Sequence, residues 1–230
     1  MGIHMVRRVA DLEPGFVLAP ERYHPRRSLG LVARRRLADY VELVAETIFA
    51  SSWRSAGAVL VLDTTHAYEG FVLCRHDPVA ATKMGSAKRP VLVGDVIISR
   101  LRPYLRQVAL IDEALFRLCP GGNAVVTSTE FFILRGRAGF DAGGLVPFLL
   151  SAPVQTALAA GQEGGHHPRF GKELLLSLPV PETVAGTLHE TAKRMQKLAT
   201  AIRSSLRASR LLREKLEAEM ARLTPSRSAM

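Results

Sequence analysis

The sequence predicts an α/β fold class, a mixed α+β domain, followed by one long C-terminal α-helix that forms a coiled coil. Three observations predict it. Between about residues 41 and 135, short apolar runs are bounded mostly by Gly, Pro, Asp or Asn, as buried strands require. Over residues 143–160 the apolar positions change to a helical period. From 183 to 223 they recur at three- and four-residue steps with no Pro. A chain of 230 residues suggests one core domain plus something extra.

The elements follow in order. Met1-Gly2-Ile3-His4 reads as residues left by a cloning vector ahead of Met5. Residues 1–40 form an N-terminal arm, broken by Pro14, Pro20 and Pro25 and carrying Arg26-Arg27 and Arg34-Arg35-Arg36. Residues 41–182 form the domain. Its strands are expected at Ala58–Leu62, Phe71–Cys74, Val96–Ser99, Val108–Ile111 and Glu130–Leu134. Leu145, Phe148, Leu149, Val154 and Leu158 fit a helix, with Pro147 and Pro153 near its start or at a break. Gly161 to Gly171 reads as a flexible loop, and Leu174–Pro181 as a short terminal element. The helix 183–223 would span about 60 Å. Its stripe includes Leu188, Met195, Leu198, Ile202, Leu206, Leu212 and Leu216. A small domain cannot bury a helix of that length, so these residues are expected to pair with a partner helix. Thr224-Pro225 ends it and leaves 224–230 as a disordered tail.

Composition narrows the function. The apolar fraction is 47% and the charged fraction 23%, ordinary for a globular protein. No apolar run reaches membrane-spanning length, and no secretory signal opens the chain. Cys74 and Cys119 give neither a disulfide framework nor metal-ligand spacing, which suits reduced thiols in the cytoplasm. With 31 Lys+Arg against 21 Asp+Glu the net charge is +10. Residues 183–230 hold 10 basic and 4 acidic side chains, so over half of the excess lies in the last fifth. Such a surplus favours polyanions, nucleic acid first.

The catalytic motifs sought are missing. There is no phosphate loop, no Gly-x-Ser-x-Gly elbow, and nothing to complete a metal set around His166-His167. No catalytic or metal residue is therefore expected. Arg100, Arg102 and Arg106 alternate with Leu101 and Leu105 beside Tyr104, so several guanidinium groups can share one face. Arginine forks suit phosphate oxygens and guanine edges. Lys83, Lys88 and Arg89 form a second basic candidate, and the loop His166-His167-Pro168-Arg169 a third. The bland alternatives stay open: arginines paired with acids, solvated loops, and a wet helix face.

These residues also carry a resemblance. Gly94 to Arg106 resembles the Gly-Asp-Ile-Leu-Ile-Ser-x-x-Arg-Pro segment of the specificity (S) subunits of type I restriction-modification systems. Val126–Leu134 resembles their Ser-x-Glu-Phe strand, Leu145–Ala160 their Leu-rich helix, and Gly164–Pro181 the loop before their long helix. The resemblance covers about residues 40–223, with four weak motifs in order. It implies a non-catalytic domain that binds double-stranded DNA in the major groove and reads one half of a bipartite site. The long helix would hold a DNA adenine methyltransferase, which would supply S-adenosylmethionine; no cofactor is implied in this chain. S subunits contain two recognition domains and two helices, whereas this chain has one of each. A homodimer through the helix, or pairing with a second half-specificity chain, would complete the arrangement. Gly164-Gly165-His166-His167 departs from the small polar residues common in the family. The rivals are a protein–protein adaptor in a defence complex and a stand-alone DNA-modifying enzyme; the enzyme would need a metal cluster or an Asn/Asp-Pro-Pro-aromatic motif, and neither was found.

Overall fold

The computed structural model describes residues 33–49, 57–73, 78–118, 124–164 and 167–223, with 6, 8–12, 23, 24 and 30. The expected vector residues 1–4, most of the arm, Cys74, Cys119, His166 and the tail 224–230 lie outside the described residues.

The strands are β1 (Arg35–Arg36), β2 (Val41–Leu43), β3 (Ala58–Leu62), β4 (Ala67–Tyr68), β5 (Phe71–Val72), β6 (Val79–Ala80) and β7 (Lys88–Pro90). They continue as β8 (Val96–Ser99), β9 (Val108–Leu110), β10 (Val125–Ser128), β11 (Phe131–Gly136), β12 (Gln162–Glu163), β13 (Arg169–Phe170) and β14 (Pro179–Val180). The helices are α1 (Glu113–Phe116), α2 (Val146–Leu150), α3 (Ala152–Ala160), α4 (Lys172–Leu176), α5 (Glu182–Ala185) and α6 (Leu188–Leu223).

Two four-stranded sheets carry the domain, ordered β6-β3-β10-β7 and β2-β11-β8-β9. The second is antiparallel throughout and is buried on both faces. Alternation along a strand sends successive side chains to opposite faces. Ile97, Ala109, Phe131 and Ile133 therefore pack with Leu60, Leu62 and Val125 of the first sheet. Their neighbours Val96, Ile98, Phe132 and Leu134 pack with Leu145, Val146, Leu149 and Leu158 on the helical side. This double burial is why Val96-Ile97-Ile98 and Phe131-Phe132-Ile133-Leu134 are unbroken apolar runs. A strand with one wet face would alternate.

The Leu145–Ala160 segment is two helices, bent by 76° where Ser151 is extended. Pro147 and Pro153 each stand in a first turn, where the missing N–H costs no helical bond. The domain's packed residues begin before position 41. β1 pairs with β14, Leu37 and Tyr40 are buried, and Arg137 Nε donates to the Ala38 carbonyl at 2.9 Å. The stretch 161–171, expected as a flexible loop, contains a short antiparallel ladder, with Gln162 opposite Phe170 and Glu163 opposite Arg169.

Gly186 and Thr187 separate the single turn α5 from α6, so the long helix begins at Leu188 and spans about 54 Å over its 36 residues. Leu188, Ala192, Met195 and Ala199 recur on one face and are buried against the chain's own domain. Leu188 and Met195 are thus not pairing residues exposed on a free helix, as expected from their period; the domain already covers them. Arg203 pairs with Asp112, whose side chain is almost wholly buried and also caps α1 by accepting from Leu115 N–H at 3.2 Å. From Ser204 to Leu223 every residue is exposed. Beyond Arg203 the helix runs on for about 30 Å, with Val72, Leu73 and Leu118 of the domain across a groove from its next turns.

The junction depends on one glycine. A Cβ built on Gly144 would lie 2.1 Å from the Leu188 carbonyl oxygen, a backbone atom that cannot swing aside. Gly144→Ala should push the helix start from the domain and cost about 1–3 kcal/mol of stability. A urea unfolding series checks this, and an unchanged midpoint would contradict the packing described.

Candidate nucleic-acid interface

The basic segments converge through backbone pairing. Lys88 and Arg89 lie on the edge strand β7, opposite Ser128 and Thr127 of β10. The next turn leads through Glu130 into β11. Arg100 N–H donates to the Glu130 carbonyl at 3.0 Å, and Phe170 N–H donates to the Arg100 carbonyl at 3.1 Å. Arg102 N–H donates to the Pro168 carbonyl at 3.2 Å. The Arg100–Arg106 segment and the His167–Arg169 segment are therefore stitched together side by side.

At the centre stands the Glu130 carboxylate. Arg169 grips it with a fork: Nε to Oε2 at 2.9 Å and Nη2 to Oε1 at 2.7 Å. Nη1 of Arg169 donates to the His167 carbonyl at 3.0 Å. Arg100 Nε lies 3.8 Å from Oε2, and its guanidinium sits 5.7 Å from the Phe132 ring centroid. Arg89 Nη1 donates to the Phe131 carbonyl at 2.9 Å. Burial, reinforced by the neighbouring Arg100 charge, holds the Arg89 guanidinium below its ordinary value despite the pull of Glu130.

Hydrogen bonding from Arg169 holds the Glu130 carboxyl below the usual carboxylate range; burial opposes this and the charges of Arg169, Arg100 and His167 reinforce it. The same fork raises Arg169. A carboxyl whose folded pKa is depressed stabilises the fold fully above its unfolded pKa and loses that contribution as pH falls through the folded value. Thermal melts across the acid range should therefore show Glu130→Gln losing less stability with falling pH than the parent. Parallel curves would contradict the pairing.

The rest of the Gly94–Arg106 segment is built to hold shape. Gly94 has φ of 92°, a conformation open to glycine, and closes the turn into β8. The buried Asp95 accepts from Leu92 N–H at 2.8 Å and takes a fork from Arg135, at 2.9 and 2.8 Å. Ser99 Oγ donates to the Leu101 carbonyl at 3.0 Å. Arg102 and Arg106 are left-handed, with φ of 49° and 53°, and flank a single 3₁₀ turn at Pro103–Leu105. That turn exposes Tyr104. Arg106 is committed to Glu69, Nε to Oε1 at 2.7 Å. Lys88 Nζ donates to Ser86 Oγ at 2.6 Å, and Lys83 lies exposed at the end of a separate 3₁₀ turn.

The structure thus brings Arg89, Arg100, His167 and Arg169 to one place, while Lys88, the preceding residue of β7, faces the other side of the sheet and bonds to Ser86. It sets Arg106 against Glu69, and His166 is outside the described residues. Sequence reasoning missed Glu130 as a site residue. Its signal was an acid inside the Ser128-x-Glu130-Phe131 pattern, flanking an apolar strand. Among the described residues no group of three or more His, Cys, Asp or Glu could hold a metal ion. None of the described helices is by itself long and apolar enough to cross a membrane.

No family model matches the sequence, and no curated protein matches it. Solved structures do match. One is a chain from a type I R-M system, solved for its complex assembly and conformational transition; it is 18% identical with a TM-score of 0.54, covering 85% of this chain and 50% of that one. Another is the HsdS subunit from Thermoanaerobacter tengcongensis, 18% identical with a TM-score of 0.50 and the same coverages. This chain therefore spans about half the length of the structures it matches. At that identity the likeness is one of fold, and it agrees with the resemblance carried by the motifs: a mixed α/β domain running into a long helix, the fold found in HsdS.

Proposed function

We propose that this chain is a non-catalytic specificity subunit of a restriction-modification or related DNA-methylation system. It binds double-stranded DNA, reads one half of a bipartite site and recruits a DNA adenine methyltransferase. The observation that carries this reading is the convergence of Arg89, Arg100 and Arg169 on one edge of an HsdS-like domain. Among the described residues Glu130 is the one carboxylate that pairs within this cluster of three arginines, so the cluster keeps a cationic surplus. Guanidinium forks recognise phosphate and guanine alike. S-adenosylmethionine belongs to the methyltransferase in this scheme, and no residue here is assigned to it. Working on DNA with that enzyme places the chain in the cytoplasm.

The projecting helix supports the partner half of the reading. Its exposed stripe is available to a second copy of the chain, which would set two recognition domains at opposite ends of a helical spacer. Fluorescence anisotropy of the purified chain with a labelled duplex is the test. Binding should be retained at about 50 mM salt and weaken linearly on a log–log plot as salt rises. No retention at that salt would overturn the DNA reading. Co-purification with an adenine methyltransferase from the native host tests recruitment.

A further inference from the structure

We propose that Glu130 is an internal stand-in for a DNA phosphate, and that it sets specificity by withholding Arg169 and Arg100 from duplexes that offer backbone contacts alone. This rests on the DNA-reading function above. A carboxylate and a phosphodiester present similar paired oxygens to a guanidinium fork. In the free protein the Arg169 fork is spent on Glu130, at 2.9 and 2.7 Å, and Arg100 leans on the same carboxylate from 3.8 Å. A phosphate can take both arginines only where Glu130 now sits, or beside it against a like charge.

The surroundings allow the exchange. The Glu130 backbone is fixed: its carbonyl accepts from Arg100 N–H at 3.0 Å, and its N–H donates to Ser128 Oγ at 3.3 Å. The side chain alone would have to swing, and about a third of it already faces solvent, as does about a third of Arg169 and of Arg100. The arginines would stay in place. Arg100 rests against Phe132, and Arg169 keeps its bond to the His167 carbonyl. The depressed carboxyl of Glu130 means that the competitor is ionised at neutral pH. A random-sequence duplex must displace that charge with backbone contacts alone. A matched duplex adds base contacts that offset the displacement. A purely structural counterion would do the opposite: losing it would loosen the cluster and weaken DNA binding.

The test compares the full chain with Glu130→Gln on a random-sequence duplex across a salt series. The variant should bind roughly tenfold tighter, as one released charged hydrogen bond allows. Its log–log salt slope should steepen by about 0.9 for each arginine released. Unchanged or weaker binding by the variant, with the parent binding as expected, overturns the role of Glu130 and leaves the DNA reading intact. Absence of binding by both overturns the reading and this role together. If Glu130→Gln fails to fold, the parent carries the test by NMR. On adding duplex, the Glu130 side-chain carboxyl ¹³C signal should move to the value of a free glutamate. A signal that stays put while the duplex is bound overturns the proposal.

Discussion

Replacing Leu206 and Leu212 with Asp should turn the protein into a monomer without unfolding its domain. Both leucines lie beyond Arg203, which pairs with the buried Asp112, and are 41% and 61% exposed. Leu216, Met220 and Leu223 continue the same apolar surface to the helix end. A single helix of this length in water has little stability of its own without a packed face. Beside it lies a groove of about 760 Å³, lined by Val72, Leu73 and Leu118 of the domain and Leu206 and Leu211 of the helix. An antiparallel second copy would cover both. An unpaired charge buried in that interface costs about 3–5 kcal/mol, or roughly two to four orders of magnitude in the dimer constant. Sedimentation at tens of micromolar reads the change. A parent chain that already sediments as a monomer would move the partner role to another protein, the methyltransferase or a non-identical half.

The second large effect is expected from Lys83→Ala, Arg100→Ala and Arg102→Ala combined. Among the described residues the Arg102 and Lys83 side chains make no hydrogen bond or ion pair, so removing them costs the fold little. Arg100 is the exposed flank of the Glu130 cluster. If all three contact phosphates, the log–log salt slope should fall by about 2.7 on a matched duplex and by about 1.8 on a random-sequence duplex, where Glu130 still holds Arg100. An unchanged slope would place these residues away from the DNA. Arg169→Ala should instead relax sequence preference more than overall affinity if Arg169 reads a guanine edge, at about 1–3 kcal/mol for a good bidentate contact. Its fork to Glu130 must open for it to do so.

The parts of the fold that were legible are those where burial writes itself into the sequence. β8 and β11 are covered on both faces, so their apolar runs announced them. Strands of two residues such as β1, β4, β6 and β12 are too short to carry any period. β7 is a short basic strand at the end of its sheet, bridged beyond it only through Lys88 and Ile48, and its Pro90 and basic residues hid it from the apolar pattern. The period of the long helix identified its apolar face but not what covers it: the domain takes Leu188 and Met195, and leaves Leu198, Leu206, Leu212 and Leu216 exposed. The basic candidates were visible as residue types. Their convergence was not, because Arg169 and Glu130 are 39 residues apart and meet only through the ladder geometry around Arg100.

The central claim, sequence-specific reading of DNA by a paired half-specificity chain, is tested most directly by selection from a random duplex library with the purified protein. One short sequence repeated as an inverted pair, with a fixed gap set by the helical spacer, should be enriched. A selected pool no different from the starting library, at salt where the chain still binds duplex, would contradict it.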